Sequence, residues 1–262
     1  MQHGQAKRRQ RVQFSPPVAG WSPSTALINH SSLNMNTSTS QRPLLISHRG
    51  DTTKHKENTL EGFLSAFERG ADGVEMDVQL VGDDVVIVHN YIHEDRVKYP
   101  KLIDVLDQIH AKGRLEIEVK SFDTNILPPL KQVLDRYQSA DIELTTSEMP
   151  LAPHIKQFFK HLKFGLIVRE SIAEAWMPHG LVAHKISQYG KLTGTDVLHI
   201  PFKILQDFGD KSLVDSLHSN GFRVHTHLPN IDSQVTNYQT IVTWGADQCS
   251  FDGEKLYVII RK

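Results

Sequence analysis

From Pro43 to Ser250, short apolar runs rich in β-branched residues alternate with stretches of helical periodicity. That alternation confines the chain to βαβ units, because amphipathic helices covering strands buried on both faces bring those strands parallel. The spacing predicts strands near residues 43–48, 73–79, 84–89, 115–120, 142–146, 164–168, 196–200, 222–226 and 246–250. It predicts helices over 58–69, 102–111, 127–138, 151–160, 204–219 and 233–243, the first with Leu60, Phe63, Leu64 and Phe67 on one face. Between residues 171 and 195 the pattern weakens, with room for short helices at Ile172 to Trp176 and at Leu181 to Tyr189.

The second and third strand segments are separated only by Leu80, Val81, Gly82 and Asp83, too few for a crossover helix, so they pair antiparallel. A turn on Gly82-Asp83, taken as centred near residue 83, sets Asp77 opposite His89 and returns His89 to the mouth. Setting this hairpin aside leaves eight parallel strands, the number that closes a barrel. The expected fold is an α/β (β/α)8 TIM barrel with an antiparallel hairpin excursion after the second strand. A length of 262 residues suits one such barrel.

The barrel domain is expected over residues 42–262. Residues 1–41 carry Lys7, Arg8, Arg9 and Arg11, many Ser, Thr, Asn and Gln, and no acidic residue. They read as a disordered N-terminal extension, with a natural start near Met35. An organelle transit peptide shares that composition, but Pro16 and Pro17 interrupt the helix it needs. A formal net charge of -1 supplies no field for nucleic acid or an anionic membrane, which leaves a small molecule as the expected partner. No run approaches the ~18 apolar residues of a membrane span, and the N-terminus lacks a secretory core, so the expected location is cytoplasmic. The one cysteine, Cys249, lies in the apolar-flanked segment Ala246 to Phe251 and reads as a buried, inert thiol.

Polar residues that interrupt the strands gather at their carboxyl ends, where barrel enzymes carry catalytic groups. His48 and Arg49 end the first strand. Glu75 and Asp77, spaced i and i+2, share one face of the second, and Glu118 and Lys120 do the same on the next barrel strand. Three carboxylates aimed at one mouth repel one another unless a cation neutralises them. Hard oxygen donors select one divalent cation of the Mg²⁺ or Ca²⁺ kind, with Mn²⁺ possible, over zinc. Glu116 faces the interior one layer deeper, as a supporting group or an internal ion-pair partner.

At these residues the chain resembles the glycerophosphodiester phosphodiesterase family. The resemblance rests on His48-Arg49-Gly50, Glu57-Asn58-Thr59, Gly70 through Val78, Val88-His89 and Ile117 through Lys120, in family order, with weaker echoes at Gly221 to Asn230, Gly245 to Asp247 and Phe251-Asp252. It implies metal-dependent hydrolysis of glycerophosphodiesters to an alcohol and glycerol 3-phosphate, in lipid and glycerol metabolism. Carried onto matching positions, it places the metal on Glu75, Asp77 and Glu118, makes His48 and His89 the base and acid, and gives phosphate binding to Arg49 and Lys120. The chemistry is coherent, since a phosphodiester needs charge stabilisation, a deprotonated attacker and a protonated leaving alkoxide. The attacker is water or the neighbouring glycerol hydroxyl.

The chain departs from the family pattern in places. Asn90 replaces the usual Asp after the second histidine, and only twelve residues separate His89 from Leu102 where the family carries a longer insertion. His227 aligns with a family tryptophan, and Phe251-Asp252 with Thr-Asp. These changes leave room for a phospholipase-like enzyme on the same barrel or for a non-catalytic phospho-ligand-binding paralogue. The first would show an apolar or aromatic patch at the mouth, for which Tyr91, Ile92 and Tyr99 are the candidates. His225-x-His227 is the rival metal signal, because two imidazoles on one strand face form a zinc arrangement. Glu57 reads as a structural acceptor for His48 or for loop backbone.

Overall fold

The computed structural model describes residues 42–92 and 98–260. The expectation for residues 1–41 lies outside the described residues, as does residues 93–97 of the shortened loop. Nine strands form one sheet: β1 (Leu44–Ser47), β2 (Gly73–Val81), β3 (Asp84–Ile87), β4 (Arg114–Val119), β5 (Ile142–Thr146), β6 (Lys163–Ile167), β7 (Val197–Pro201), β8 (Arg223–Leu228) and β9 (Gln248–Phe251). Their order, β1-β9-β8-β7-β6-β5-β4-β2-β3, is closed by a β1–β2 pairing. Eight parallel strands thus make a barrel, and β3 stands outside it on the antiparallel hairpin.

The helices α1 (Leu60–Glu68), α2 (Leu102–Ile109), α3 (Leu127–Leu134), α4 (Ala152–Phe158), α5 (His179–Thr193), α6 (Phe202–Phe208), α7 (Asp210–Ser219), α8 (Gln234–Trp244) and α9 (Lys255–Ile260) complete the architecture. Alternation along the strands separates two environments. Val74, Met76 and Val78 on β2, and Leu115, Ile117 and Val119 on β4, are buried in the hydrophobic core shared with the helices. Their neighbours Glu75, Asp77, Glu116 and Glu118 turn inward, and register pairs Glu75 with Glu116 and Asp77 with Glu118 across the β2–β4 ladder. Among the described residues, no helix is long and apolar enough to cross a membrane.

Several local expectations shift. The hairpin pairs Val81 with Asp84 and Val78 with Ile87, and the Val88 amide donates to the Asp77 carbonyl at 2.9 Å. Asp77 therefore faces Val88, not His89, because a two-residue turn centres between Gly82 and Asp83. The predicted helix 204–219 is two helices, broken at Gly209, whose φ of 150° lies outside the helical range. Residues 171–195 hold one long helix, α5, ended by Gly194 in the left-handed conformation, where two short ones were anticipated. Helix α9 went unread, its Leu-Tyr-Val-Ile-Ile run carrying no helical periodicity.

The first loop is held by a buried ion pair. Asp51 accepts from Arg69 at 2.9 Å and from Ser65 at 2.7 Å, and the Arg69 guanidinium lies 3.8 Å over the Tyr257 ring. Burial alone would raise the Asp51 pKa, but the Thr53, Arg69 and Ser65 donors hold it down at about 2. Its contribution to stability is therefore complete above the ordinary value of 3.8 and is lost as pH falls toward 2. Asp51→Asn leaves Arg69 short of a buried partner and is expected to cost about 3 kcal/mol near neutrality. Thermal unfolding of the two proteins should show that gap narrowing below about pH 4; a gap independent of pH would refute the assignment.

Candidate active site

The mouth of the barrel opens on a cavity of about 710 Å³ lined by His48, Glu75, Glu118, His199, His227 and others. Its charged wall is built by β1, β2 and β4, contiguous in the barrel. Immediately after β1 the chain turns sharply: Arg49 adopts a left-handed φ of 58°, and Gly50 follows at 83°. A Cβ at Gly50 would lie 2.8 Å from the Gly62 carbonyl carbon, so only glycine permits this approach of the turn to α1. Two backbone bonds fix the turn, from the Arg49 amide to Glu75 Oε2 at 3.1 Å and from the Asn58 amide to the Arg49 carbonyl at 3.0 Å.

Glu75, Asp77 and Glu118 are buried, each offering an oxygen within 4.8 Å of the others'. Arg49 Nε stands 3.3 Å from Asp77 Oδ2, and Lys120 Nζ stands 3.2 Å from Glu118 Oε2 and 3.4 Å from Asp77 Oδ1. Asn58 Nδ2 donates to Asp77 Oδ2 at 2.9 Å, and Ser147 Oγ to Glu118 Oε1 at 3.2 Å. Burial, then the charges of Asp77 and Glu118, push Glu75 well above the ordinary carboxylate range against the pull of Arg49. Glu118 is also raised, first by burial, with Lys120 opposing. For Lys120, burial works against the charge, yet Glu118 and Asp77 outweigh it and its pKa rises. Among the described residues, buried Asp77 Oδ1 has no hydrogen-bond donor, its nearest cation being Lys120 Nζ at 3.4 Å. An orphaned anionic oxygen beside carboxyls that cannot readily all ionise fits the donor set for a hard divalent cation.

His48 is held from the opposite side. Its Nδ1 lies 2.8 Å from Asp252 Oδ1, and its Nε2 lies 3.9 Å from Glu75 Oε2. A carboxylate only accepts, so Nδ1 carries the proton and Nε2 of the neutral ring is left free to take one. Burial lowers the His48 pKa, with the Asp252 hydrogen bond opposing. Burial would raise Asp252, but hydrogen bonds from His227 and His48 hold it below the usual carboxylate range. His227 reaches Asp252 Oδ2 at 3.2 Å and Ser250 Oγ at 3.1 Å, its ring 4.6 Å from that of His48.

Of the residues anticipated from sequence, His48, Arg49, Glu75, Asp77, Glu118 and Lys120 meet in one network. His89 stands apart from that network of contacts: half-buried past the hairpin, it has Nδ1 3.1 Å from Asn90 Oδ1 and, like Arg49, Asp77 and Lys120, is not among the side chains lining the cavity. Glu57 accepts from Arg49 Nη1 at 2.9 Å, where an acceptor for His48 or for loop backbone was expected. The rival pair separates, with His227 at the mouth and His225 below it, 1% exposed, Nδ1 3.2 Å from Glu116 Oε1. Two positioning residues, Asn58 and Asp252, went unassigned. Asp252 directly follows a barrel strand, the same signal that singled out His48.

Beneath the mouth lies a polar floor. Arg114 donates to Glu143 at 2.9 Å, Glu143 meets His199 at 2.7 Å, and His199 stacks on His225 with centroids 4.0 Å apart. Gln248 donates to Glu116 at 2.8 Å and to Glu143 at 3.2 Å. The expectation that Glu116 is an internal partner agrees with this arrangement.

Residues 48–165 match the sequence profile of the glycerophosphoryl diester phosphodiesterase family. A glycerophosphodiester phosphodiesterase of Caldanaerobacter subterraneus subsp. tengcongensis is 28% identical over 174 residues, covering 52% of this chain and 70% of that protein. The glycerophosphodiester phosphodiesterase structure from Thermotoga maritima superposes with a TM-score of 0.65 at 20% identity, over 84% of this chain and 98% of that one. An Oleispira antarctica phosphodiesterase in complex with the product sn-glycerol-3-phosphate superposes at 0.63 and 20% identity, over 80% and 93%. The matched segment runs through His48, Glu75, Asp77, His89, Glu118 and Lys120, and over it the chain is similar to the glycerophosphodiester phosphodiesterase family.

Proposed function

We propose that the protein hydrolyses glycerophosphodiesters to an alcohol and glycerol 3-phosphate, in the cytoplasm, as part of lipid and glycerol metabolism. The observation that carries this reading is the charged wall, where three buried carboxylates, two cations and an oriented imidazole meet at the barrel mouth, with His48, Glu75 and Glu118 lining the cavity. Glu75, Asp77 and Glu118 would hold one Mg²⁺, Ca²⁺ or Mn²⁺ ion. When bound, such a cation neutralises the phosphoryl oxygens and polarises the phosphorus centre.

Arg49 and Lys120 bind and orient the phosphate, Arg49 steadied by Glu57 behind it. His48 Nε2 accepts the proton of the attacking hydroxyl, from water or from the adjacent glycerol hydroxyl, while Asp252 stabilises the imidazolium that forms. His89 gives a proton to the departing alkoxide, with the Asn90 carbonyl orienting its ring. The phosphorus–oxygen bond to the alcohol breaks as the new one forms, and the proton taken by His48 is matched by the one His89 releases.

A panel of glycerophosphodiesters followed by phosphorus NMR tests the proposal. Glycerol 3-phosphate is the expected product, and a transient cyclic phosphate would identify the glycerol hydroxyl as attacker. Failure to turn over any phosphodiester in the presence of Mg²⁺, Ca²⁺ or Mn²⁺ would refute it.

A further inference from the structure

The two nitrogens of His48 face different partners, Nε2 toward Glu75 and Nδ1 toward Asp252, and on the Asp252 side a second group of ligand atoms converges. His48 follows β1, His227 lies on β8 and Asp252 follows β9, and β9 runs between β1 and β8, so the three side chains come from adjacent strand ends. The Asp252 carboxylate meets His48 Nδ1 at 2.8 Å through Oδ1 and His227 Nε2 at 3.2 Å through Oδ2. One ligand atom from each of the three falls within 4.8 Å of the others. Both imidazoles line the cavity, so the group is open to a solute that enters the mouth. Nothing in the reaction described above requires two imidazoles on one carboxylate.

Two nitrogen donors and one carboxylate differ in kind from the three carboxylates of the charged wall. Imidazole selects zinc and its transition-metal neighbours, while an all-carboxylate set selects Mg²⁺, Ca²⁺ or Mn²⁺. Zinc bonds of about 2.0–2.1 Å in a tetrahedron set neighbouring ligand atoms about 3.3 Å apart. The contacts of 2.8 and 3.2 Å already lie close to two such edges, and His227, half-buried, has room to close the third. No proton has to leave the protein when a metal enters. Asp252 is ionised beforehand, because against its burial the His227 and His48 hydrogen bonds hold it below the usual carboxylate range. As His227 gives its Nε2 pair to the metal, its ring proton moves to Nδ1, which then donates to Ser250 Oγ, 3.1 Å away.

We propose that His48, His227 and Asp252 form a zinc site, separate from the carboxylate site, whose occupation stops proton transfer at His48. A neutral imidazole carries one proton and one free lone pair. With the Nδ1 pair on Zn²⁺, the proton of the His48 ring sits on Nε2, and the atom that accepted from the attacking hydroxyl becomes a donor. Three metal–ligand bonds form, two rings exchange tautomers, and no bond of the substrate is made or broken. Glu75, Asp77 and Glu118 keep their own cation, so the two ions bind at different edges of the His48 ring. The inhibition rests on the phosphodiesterase reading, and the site itself does not.

The test uses the Mg²⁺-loaded enzyme and buffered free Zn²⁺. Zinc is expected to inhibit at a concentration that does not change when Mg²⁺ is raised about tenfold, because the two ions share no ligand. Co²⁺ added to the same protein should give the visible absorption of a four-coordinate ion, saturating at one equivalent. His227→Gln, whose amide can still donate to Asp252, should raise the half-inhibiting zinc concentration, measured against its own zinc-free rate, by about tenfold or more, at least the loss that follows removal of an outer partner of a metal ligand. It should also abolish the Co²⁺ absorption. His199→Gln, in the deeper cluster of Glu116, His199 and His225, should leave both readouts as in the unsubstituted protein. A half-inhibiting concentration that climbs in proportion to Mg²⁺ would put zinc on the carboxylates and overturn the proposal. So would an unaltered zinc response in His227→Gln, relief by His199→Gln alone, or hydrolysis that zinc leaves untouched. Co²⁺ absorption that depends on His227, without hydrolysis of any phosphodiester, would uphold the site and overturn the phosphodiesterase reading.

Discussion

Chelation of divalent cations is expected to abolish turnover, with Mg²⁺, Mn²⁺ or Ca²⁺ restoring it and Zn²⁺ restoring less. The charges that meet at the mouth explain why. Glu75, Asp77 and Glu118 bring three negative charges against the two positive charges of Arg49 and Lys120, and Asp77 Oδ1 has no hydrogen-bond donor among the described residues. Binding should also be visible without turnover. A ligand present at about a hundred times its Kd stabilises the folded state by about 2.7 kcal/mol. For a domain of this size that raises the melting temperature by about 5–10 °C. Glu75→Gln, Asp77→Asn and Glu118→Gln should each shrink that rise and lower kcat together. Full activity in metal-free protein would remove the cation from the mechanism. Rescue by zinc alone would transfer the site to one of the imidazole-containing clusters, His48/His227/Asp252 or Glu116/His199/His225.

Loss of either proposed proton carrier should cost roughly 10²- to 10⁴-fold in kcat with the cation still bound, the range of a removed general acid or base. The pH profile of kcat/KM should be a bell. His48 acts only when neutral, and burial lowers its pKa from 6.5, so the acidic limb falls below that value. His89 acts only when protonated, and its loss removes the alkaline limb. An ester with a nitrophenolate leaving group needs no protonation, so it should restore much of the His89→Ala rate and none of the His48→Ala rate. Equal damage on both substrates would show that the two imidazoles position phosphate and carry no proton. Asp252→Asn should shift the acidic limb further down, since it removes the carboxylate that stabilises imidazolium.

The parts of the molecule that depend on local pattern were legible in the sequence. The i, i+2 spacing of Glu75 and Asp77 set both on the inner face of a strand, and the four residues before Asp84 ruled out a crossover. What escaped depends on partners distant in sequence. Asp252 means little until β9 lies beside β1 and brings it to His48, 204 residues away. His199 reads as an ordinary strand residue until it stacks on His225 and meets Glu143. The Asp77–His89 pairing failed by one residue, because a turn of two residues has its centre between them. The break at Gly209 hid inside a continuous apolar periodicity, where a single glycine can either be tolerated or end the helix.

The polar floor has a consequence for how the chain is made. Every residue proposed for catalytic metal binding, proton transfer or phosphate binding precedes residue 121, so a ribosome has delivered all of them before strands β5 to β9 exist. None can assemble into a working wall at that stage. Glu116 waits for Gln248, 132 residues later, and β1 and β8 keep open edges until β9 slides between them. A nascent chain halted before Gln248 would hold Glu116 and Glu143 without that donor and two strands with unpaired backbone, the kind of surface that recruits other chains. Synthesis therefore leaves a long interval in which the finished motifs are exposed on an unfinished barrel, and shielding of those edges decides how much of the protein reaches its closed form.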